Sequence, residues 1–144
     1  LYSFEKIDKH SGGIHLTYFE YCTLAAFLSL NELPCDAWVI EVGLGGRLDA
    51  TNILNPSVSV ITNIAFDHQE WLGETLEEIA REKAGIIAAN TPSIFADSQV
   101  PKSIEQIAFE KKSDLLNLKK FSKNRAICNP IQVGRRTRNR DIFL

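Results

Sequence analysis

The sequence predicts an α/β fold in which a mostly parallel sheet is flanked by helices. Short apolar runs alternate with helical segments along the chain, and turn residues bound each run. The first run begins at Ala37 and breaks at the glycine turn Gly43-Leu44-Gly45-Gly46. A continuous apolar run of this kind is typical of a strand buried on both faces of a parallel sheet. The length of 144 residues suits one domain.

Periodicity and turn chemistry place the elements along the chain. Two capping boxes, Thr17 to Glu20 and Thr75 to Glu78, each predict the start of a helix. The first of these helices is apolar on most sides and is therefore expected to lie buried between layers. In chain order we expect an irregular start over 1–15, a helix over 18–30, strands over 37–42 and 58–63, a helix over 76–87, a strand over 93–96, a helix over 102–111 and a strand over 115–118.

Three polar side chains are candidates for a functional site. Glu41 ends the first strand and His68 follows the second, so both are expected at the sheet edge where the carboxyl ends of the strands meet. P-loop enzymes also bind their magnesium ion with a carboxylate in this position. Lys83 falls near the middle of an apolar helix face, where burial favours a neutral, reactive amine. The alternatives are an ordinary strand end for Glu41 and a lysine that extends to the surface.

Composition argues against several classes of protein. The net charge is −2 and no apolar run is long enough to span a bilayer, so we expect no affinity for nucleic acid or membrane, and no signal peptide is visible. The three scattered cysteines, Cys22, Cys35 and Cys128, favour reduced thiols in a cytoplasm. Residues 119–144 form a basic tail of local charge +7, which indicates either a solvated terminus or a nucleic-acid arm. The chain contains no methionine, and we expect it to be a piece of a longer protein.

Four ordered blocks of the sequence resemble one enzyme family. The segment VIEVGLGGRLDATN at 39–52 is similar to the signature of the dihydrofolate synthase/folylpolyglutamate synthase family, relatives of the Mur ligases. Supporting blocks are LTYFE at 16–20, DH at 67–68 and EKAGI at 82–86. The resemblance covers residues 16–118. It implies that residues 1–118 are part of a P-loop-type Mur ligase central domain, namely a fragment of the ATPase and pterin-binding domain of a folate ligase.

The resemblance implies an ATP-dependent amide ligase. Such an enzyme adds L-glutamate to dihydropteroate or folates through an acyl phosphate, with ATP as co-substrate and Mg²⁺ as cofactor. Magnesium offsets charge on the phosphates, which is the main help that an enzyme gives such a step. The family resemblance further implies a cytoplasmic enzyme that is a monomer in its full-length form.

The resemblance also implies roles for individual residues. Glu41 matches the magnesium-binding glutamate, and His68 matches the histidine that binds a second metal. Lys83 matches a lysine that is carbamylated in many members, which converts a buried amine into an anionic oxygen ligand. The residues that match the pterin site are Thr17, Tyr18, Phe19, Glu20, Leu48, Asp49 and Ala50. Of these, Phe19 or Tyr18 is expected to stack on the pterin ring, with core packing as the alternative, and Asp49 to accept its N–H donors.

One family motif does not occur in these residues. The P-loop pattern Gly-x-x-x-x-Gly-Lys-Ser/Thr requires a Gly-Lys pair, and the sequence has none. The family places this loop upstream of the matched segment, and it places a C-terminal domain downstream. The alternative to a ligase fragment is therefore a noncatalytic pterin- or metal-binding module, or a pseudogene product.

Overall fold

The computed structural model describes residues 2–123 and 141–143 and has the mixed α/β architecture that the sequence predicts. Short 3-10 helices at Ala50–Ile53 and Ala84–Ile86 supplement the regular elements. The regular elements are α1 (Tyr2–His10), α2 (Tyr18–Glu32), β1 (Ala37–Val39), β2 (Ser59–Ile61), α3 (Gln69–Leu72), α4 (Leu76–Lys83), β3 (Ser93–Phe95), α5 (Lys102–Glu110), β4 (Leu115–Asn117), α6 (Leu118–Lys123) and β5 (Asp141–Phe143).

All of the strand pairs are parallel, as predicted. Strands β2, β3 and β4 form one sheet in that order, with Ser59 opposite Ser93 and Ser93 opposite Leu115. Strand β1 pairs with β5 instead, so the described strands form two sheets rather than one. The carboxyl ends of β1 and β2 are therefore not hydrogen-bonded neighbours.

The core lies between the three-stranded sheet and the helices α4 and α5. Ile61 and Phe95 point from the strands into this layer, and Ala80 and Ile104 meet them from the helices with almost no exposed surface. The predicted apolar face of α4 is buried at Ile79 and Ala80, although Leu76 is exposed and the helix tightens to a 3-10 turn after Lys83. Ile87, at the end of that turn, completes the buried cluster.

Backbone caps hold these helices in place. Both predicted capping boxes are confirmed, because Thr17 accepts from the Glu20 N–H while the Glu20 side chain accepts from Thr17, and Thr75 and Glu78 do the same. Glu77 links α4 to α5 by accepting from the backbone N–H of Lys102 at 3.1 Å and of Ser103 at 2.8 Å. These bonds hold the pKa of Glu77 below its usual range, since the backbone N–H of Ser103 above all binds its charged form.

Two expectations about burial are wrong. Only Thr23 and Ala25 of α2 are fully buried, because its main partners, α1 and the 3-10 helix Ala50–Ile53, cover the helix only in part. Strand β1 is three residues long rather than six, and in it only Trp38 is buried while Val39 is largely exposed. The helices α4 and α5 cover the other sheet, so β1 does not receive the two apolar layers that its sequence predicts.

Several elements are missing from the sequence-based assignment. The expected irregular start is largely helix α1, which buries Ile7 and stacks Phe4 on Tyr21 with ring centroids 5.6 Å apart. Helix α6 and strand β5 interrupt the predicted basic tail, and α3 precedes the second capping box. Residues 124–140, which carry most of the proposed nucleic-acid arm and Cys128, lie outside the described residues. Within the described part, each helix is too short or too polar to span a bilayer.

Candidate functional site

Asp49 organises the glycine turn that follows β1. Its Oδ2 accepts from the backbone N–H of Gly43 at 3.1 Å and of Leu44 at 3.0 Å. Its Oδ1 accepts from the backbone N–H of Thr51 at 2.9 Å and from the Thr51 hydroxyl at 2.7 Å. A carboxylate offers about four lone-pair sites, so these four bonds use its accepting capacity. These hydrogen bonds show that Asp49 stabilises the turn. Its contact with pterin N–H groups stays a prediction.

A second set of contacts fixes the turn to the end of α4. Arg47 donates its backbone N–H to the Glu82 carbonyl at 2.9 Å and its guanidinium lies 3.0 Å from the Glu82 carboxylate. The Asn52 amide donates to the carbonyls of Arg47 at 3.1 Å and Gly85 at 3.2 Å. A Cβ on Gly85 would overlap the Arg47 backbone, so only glycine allows this approach. The blocks at 39–52 and 82–86 thus form one structural unit.

This unit forms one wall of a cavity of about 280 Å³, here called the aromatic cavity. Six of the seven residues predicted for the pterin site line it; they are Thr17, Phe19, Glu20, Leu48, Asp49 and Ala50. The seventh, Tyr18, does not line the cavity and is 86% exposed. The remaining lining residues, which sequence reasoning missed, are Leu44, Gly45, Gly46, Trp71, Leu72 and Glu82.

The start of α2 forms the opposite wall. Glu20 Oε2 accepts from the Thr17 backbone and hydroxyl, each at 2.8 Å, and these bonds hold the pKa of Glu20 below its usual range. The charged carboxylate is thereby used for capping. The ring of Phe19 lies against Gly43, since a Cβ there would come within 2.8 Å of the ring carbon Cζ. Phe19 thus presents its aromatic ring to the cavity at a position that the glycine turn defines.

Glu41 and Lys83 share a second cavity of about 370 Å³, here called the strand cavity. It lies between the exits of β1 and β2 and is lined by residues 39–42 and 60–63 together with Lys83. Lys83 is half-buried as the last residue of α4. Gly45 lines both cavities, so the aromatic cavity and the strand cavity adjoin at this residue.

His68 does not line the strand cavity. It has a left-handed backbone, with φ of 48°, immediately before α3, and its Nε2 lies 3.6 Å from Oδ2 of Asp67. Both side chains are exposed. The structure thus brings Glu41 and Lys83 together, but it does not bring His68 to the same cavity.

The side chains that line the strand cavity can be compared with the ligands that magnesium prefers. Among residues 2–123 and 141–143, no three His, Cys, Asp or Glu side chains cluster closely enough to hold a metal. Magnesium is commonly bound through one or two carboxylates, with waters and substrate phosphates as the other ligands. The Glu41 carboxylate fits that pattern alone, and Lys83 fits it once its amine carries a carboxylate.

The family follows from comparison with known proteins. The Mur ligase middle domain family matches residues 4–139. The chain belongs to this family. The match includes the glycine turn, Asp49 and both cavities, so the site described above lies within the shared domain.

Individual relatives extend this result. The chain is 49% identical over 109 residues to the dihydrofolate synthase/folylpolyglutamate synthase of Escherichia coli strain K12, an alignment that covers 76% of the chain and 26% of the relative. It superposes with a TM-score of 0.77 and 47% identity on E. coli FolC in complex with DHPP and ADP, covering 80% of this chain and 28% of that one. A bifunctional enzyme of the same name with Mn, AMPPNP and L-glutamate bound gives a TM-score of 0.74 at 44% identity, with the same coverage. The chain spans about a quarter of the length of these relatives.

Proposed function

We propose that this chain forms part of an ATP-dependent ligase that joins L-glutamate to dihydropteroate or to folates. The main support is that six residues matched to a pterin site line the aromatic cavity. This cavity adjoins the strand cavity, which is lined by Glu41 and Lys83, at Gly45. The relatives support the proposal, since those named above carry both synthase names, and solved examples hold ADP with DHPP, or AMPPNP with L-glutamate and Mn.

The two cavities have different functions in this proposal. The aromatic cavity receives the ring system against Phe19 and Leu48, which are apolar and accessible. The carboxylate to be activated then extends past Gly45 towards the strand cavity. Glu41 contributes a carboxylate oxygen to Mg²⁺, which when bound offsets negative charge on ATP phosphates. Lys83, carbamylated, supplies a second anionic oxygen, and His68 serves a second metal.

The reaction proceeds in two steps, phosphorylation of the substrate carboxylate and attack of the amine on the acyl phosphate. A substrate carboxylate oxygen attacks the γ-phosphorus of ATP, the bond from that phosphorus to the bridging oxygen breaks, and ADP leaves with the electron pair. The neutral amine of glutamate then attacks the acyl carbon. Inorganic phosphate leaves with the C–O electrons, and the nitrogen loses one proton to give the amide. Excluding water between the steps protects the acyl phosphate from hydrolysis.

The remaining assignments belong to the same proposal. Residues 1–118 are a partial ATPase and pterin-binding domain, and residues 119–144 are a basic tail. The free thiols of Cys22 and Cys35 fit a reducing cytoplasm. We propose a monomer for the full-length enzyme.

A noncatalytic pterin-binding module is the second candidate. Such a module would need the two cavities described above but no P-loop. Both candidates bind the ring, but only the ligase uses ATP. Phosphate release with dihydropteroate, ATP and glutamate separates them when measured on the complete protein.

Equilibrium dialysis with pteroic acid tests the shared part of the proposal. We expect the wild-type chain to bind, and Leu48→Asp, which places a charge in the aromatic cavity, to weaken binding at least tenfold. Ile53→Asp is the matched control, because Ile53 is exposed to a similar extent, 64% against 79% for Leu48, and lies outside the cavity. No binding by the wild type, or equal losses in both variants, would overturn the proposal.

A further inference from the structure

Trp71 is the feature of the site that the assigned roles leave unexplained. Its side chain is 71% exposed, whereas Trp38, the other tryptophan, is 8% exposed. Trp71 lines the aromatic cavity beside Leu48 and Phe19. A large ring left in water contributes little to the core, and exposed apolar groups around a cavity mark ligand-binding sites.

The backbone beneath Trp71 is held firmly. The neighbouring Leu72 is buried, and a Cβ on Gly45 would come within 2.8 Å of its Cδ2. The N–H groups of Trp71 and Leu72 both donate to the His68 carbonyl, at 2.9 and 3.0 Å. Helix α3 therefore places Trp71 at a defined point on the cavity wall.

The end of α3 is fixed as well. Gly73 ends the helix with φ of 118°, and its N–H donates to the Gln69 carbonyl at 3.1 Å. The Glu78 side chain fills the space where a Cβ on Gly73 would stand, and it accepts from the N–H groups of Glu74 and Thr75 at 2.9 Å each. Helix α3, which carries Trp71, is thus tied to the first turn of α4.

The three carboxylates that line the cavity already have partners, and that of Glu82 binds Arg47. The four hydrogen bonds of Asp49 occupy its carboxylate, and Glu20 is engaged in its capping box. The apolar faces of Phe19, Leu48 and Trp71 remain. Such a wall favours binding of a planar aromatic ring system over an aliphatic acid, because a flat ring can stack on the aromatic side chains.

We propose that Trp71 is a specificity-determining residue that stacks on the aromatic ring system of the ligase's acyl substrate. The inference rests on the proposed function and adds to it a residue and a mode of recognition. Stacking of one aromatic pair corresponds to a factor of about ten in affinity.

Dialysis with pteroic acid measures this contribution. We expect Trp71→Ala to raise the dissociation constant about tenfold and Trp71→Phe, which keeps an aromatic face, to stay within about threefold of the wild type. Phe109→Ala is the control, because Phe109 is exposed on α5 and lies outside the cavity. Equal affinity of Trp71→Ala and the wild type overturns the assignment.

Fluorine NMR provides a readout that does not depend on the alanine variant folding. In chain labelled with 5-fluorotryptophan, the resonance missing from Trp71→Phe belongs to Trp71. We expect pteroic acid to shift this resonance and to leave that of Trp38 in place. Binding by the wild type without a shift at Trp71 overturns this inference alone, whereas a wild type that does not bind pteroic acid overturns the proposed function with it.

Discussion

Alanine at Gly46 should destabilise the protein because the turn packs directly on backbone. A Cβ at Gly46 would lie 2.9 Å from the carbonyl oxygens of Glu82 and Lys83 and 2.9 Å from Cγ2 of Ile86. Backbone carbonyls at the end of α4 cannot rotate away, so the turn must separate from the helix. Overpacking of this kind costs about 1–3 kcal/mol. For a domain of this size that corresponds to a fall in melting temperature of roughly 3–9 °C.

Alanine at Gly43 should act differently, since its Cβ would meet a side chain. The nearest atom is Cζ of the Phe19 ring at 2.8 Å, and the Asp49 Oδ2 lies at 3.2 Å. Phe19 is 47% exposed and can turn out into solvent. We therefore expect less than about 1 kcal/mol of destabilisation, but weaker pteroic acid binding because the ring leaves the aromatic cavity.

Thermal unfolding followed by far-UV circular dichroism, together with dialysis of pteroic acid, distinguishes the two variants. Gly46→Ala should melt well below the wild type, while Gly43→Ala should melt near it and lose affinity. A stable Gly46→Ala protein would refute the close packing of the turn on α4. A Gly43→Ala protein with unchanged affinity would refute the position assigned to Phe19.

Three further substitutions test other parts of the account. Asp49→Asn removes acceptors from the glycine turn and should cost roughly 1–3 kcal/mol in urea unfolding; a neutral effect would contradict the organising role. Glu77→Gln should lower stability at pH 7, and the loss should shrink as the pH falls below the ordinary glutamate pKa, because the contribution of the depressed Glu77 pKa disappears as the pH passes through the lowered value. Thermal melts at a series of falling pH values check this, and a pH-independent difference would contradict it. Glu41→Ala in the complete ligase should reduce kcat by about 10² or more while unfolding within about 0.5 kcal/mol of the wild type, since Glu41 is exposed; equal specific activity would argue against the metal role.

Local chemistry made much of the fold predictable. The capping boxes at Thr17 and Thr75 place two helix starts correctly, because their side-chain to backbone bonds depend only on neighbouring residues. The apolar face around Ile79 is buried as its period predicts. The parallel strand pairs follow from the alternation of strands and helices.

Burial depended on partners that periodicity does not specify. Helix α2 is apolar on most sides, yet only Thr23 and Ala25 are fully buried, and its main partners are α1 and a 3-10 helix. Strand β1 pairs with β5 rather than with β2. Helix α1 is nine residues long and has only three apolar residues, Tyr2, Phe4 and Ile7, so its periodic pattern is short and was missed. The sequence therefore indicates which residues form elements more reliably than what covers them.

The site was predictable where it is contiguous in the chain. Thr17 to Glu20 and Leu48 to Ala50 are short blocks, and all but Tyr18 line the aromatic cavity. Trp71 was missed because its place in the cavity depends on the contact of Leu72 with Gly45, which joins distant parts of the sequence. The role of the Asp49 side chain as an acceptor for N–H and O–H groups of the turn was also missed. Its four donors come together only in the folded turn.

A ¹⁵N–¹H correlation spectrum of the labelled chain titrated with dihydropteroate tests most directly whether the glycine turn forms a substrate cavity. We expect the shifted amides to cluster at residues 43–51 and at Phe19 and Trp71, while the amides of α5 stay in place. Shifts centred elsewhere, or no shifts at millimolar ligand in a folded chain, would contradict the claim that this turn forms the substrate cavity of a folate ligase.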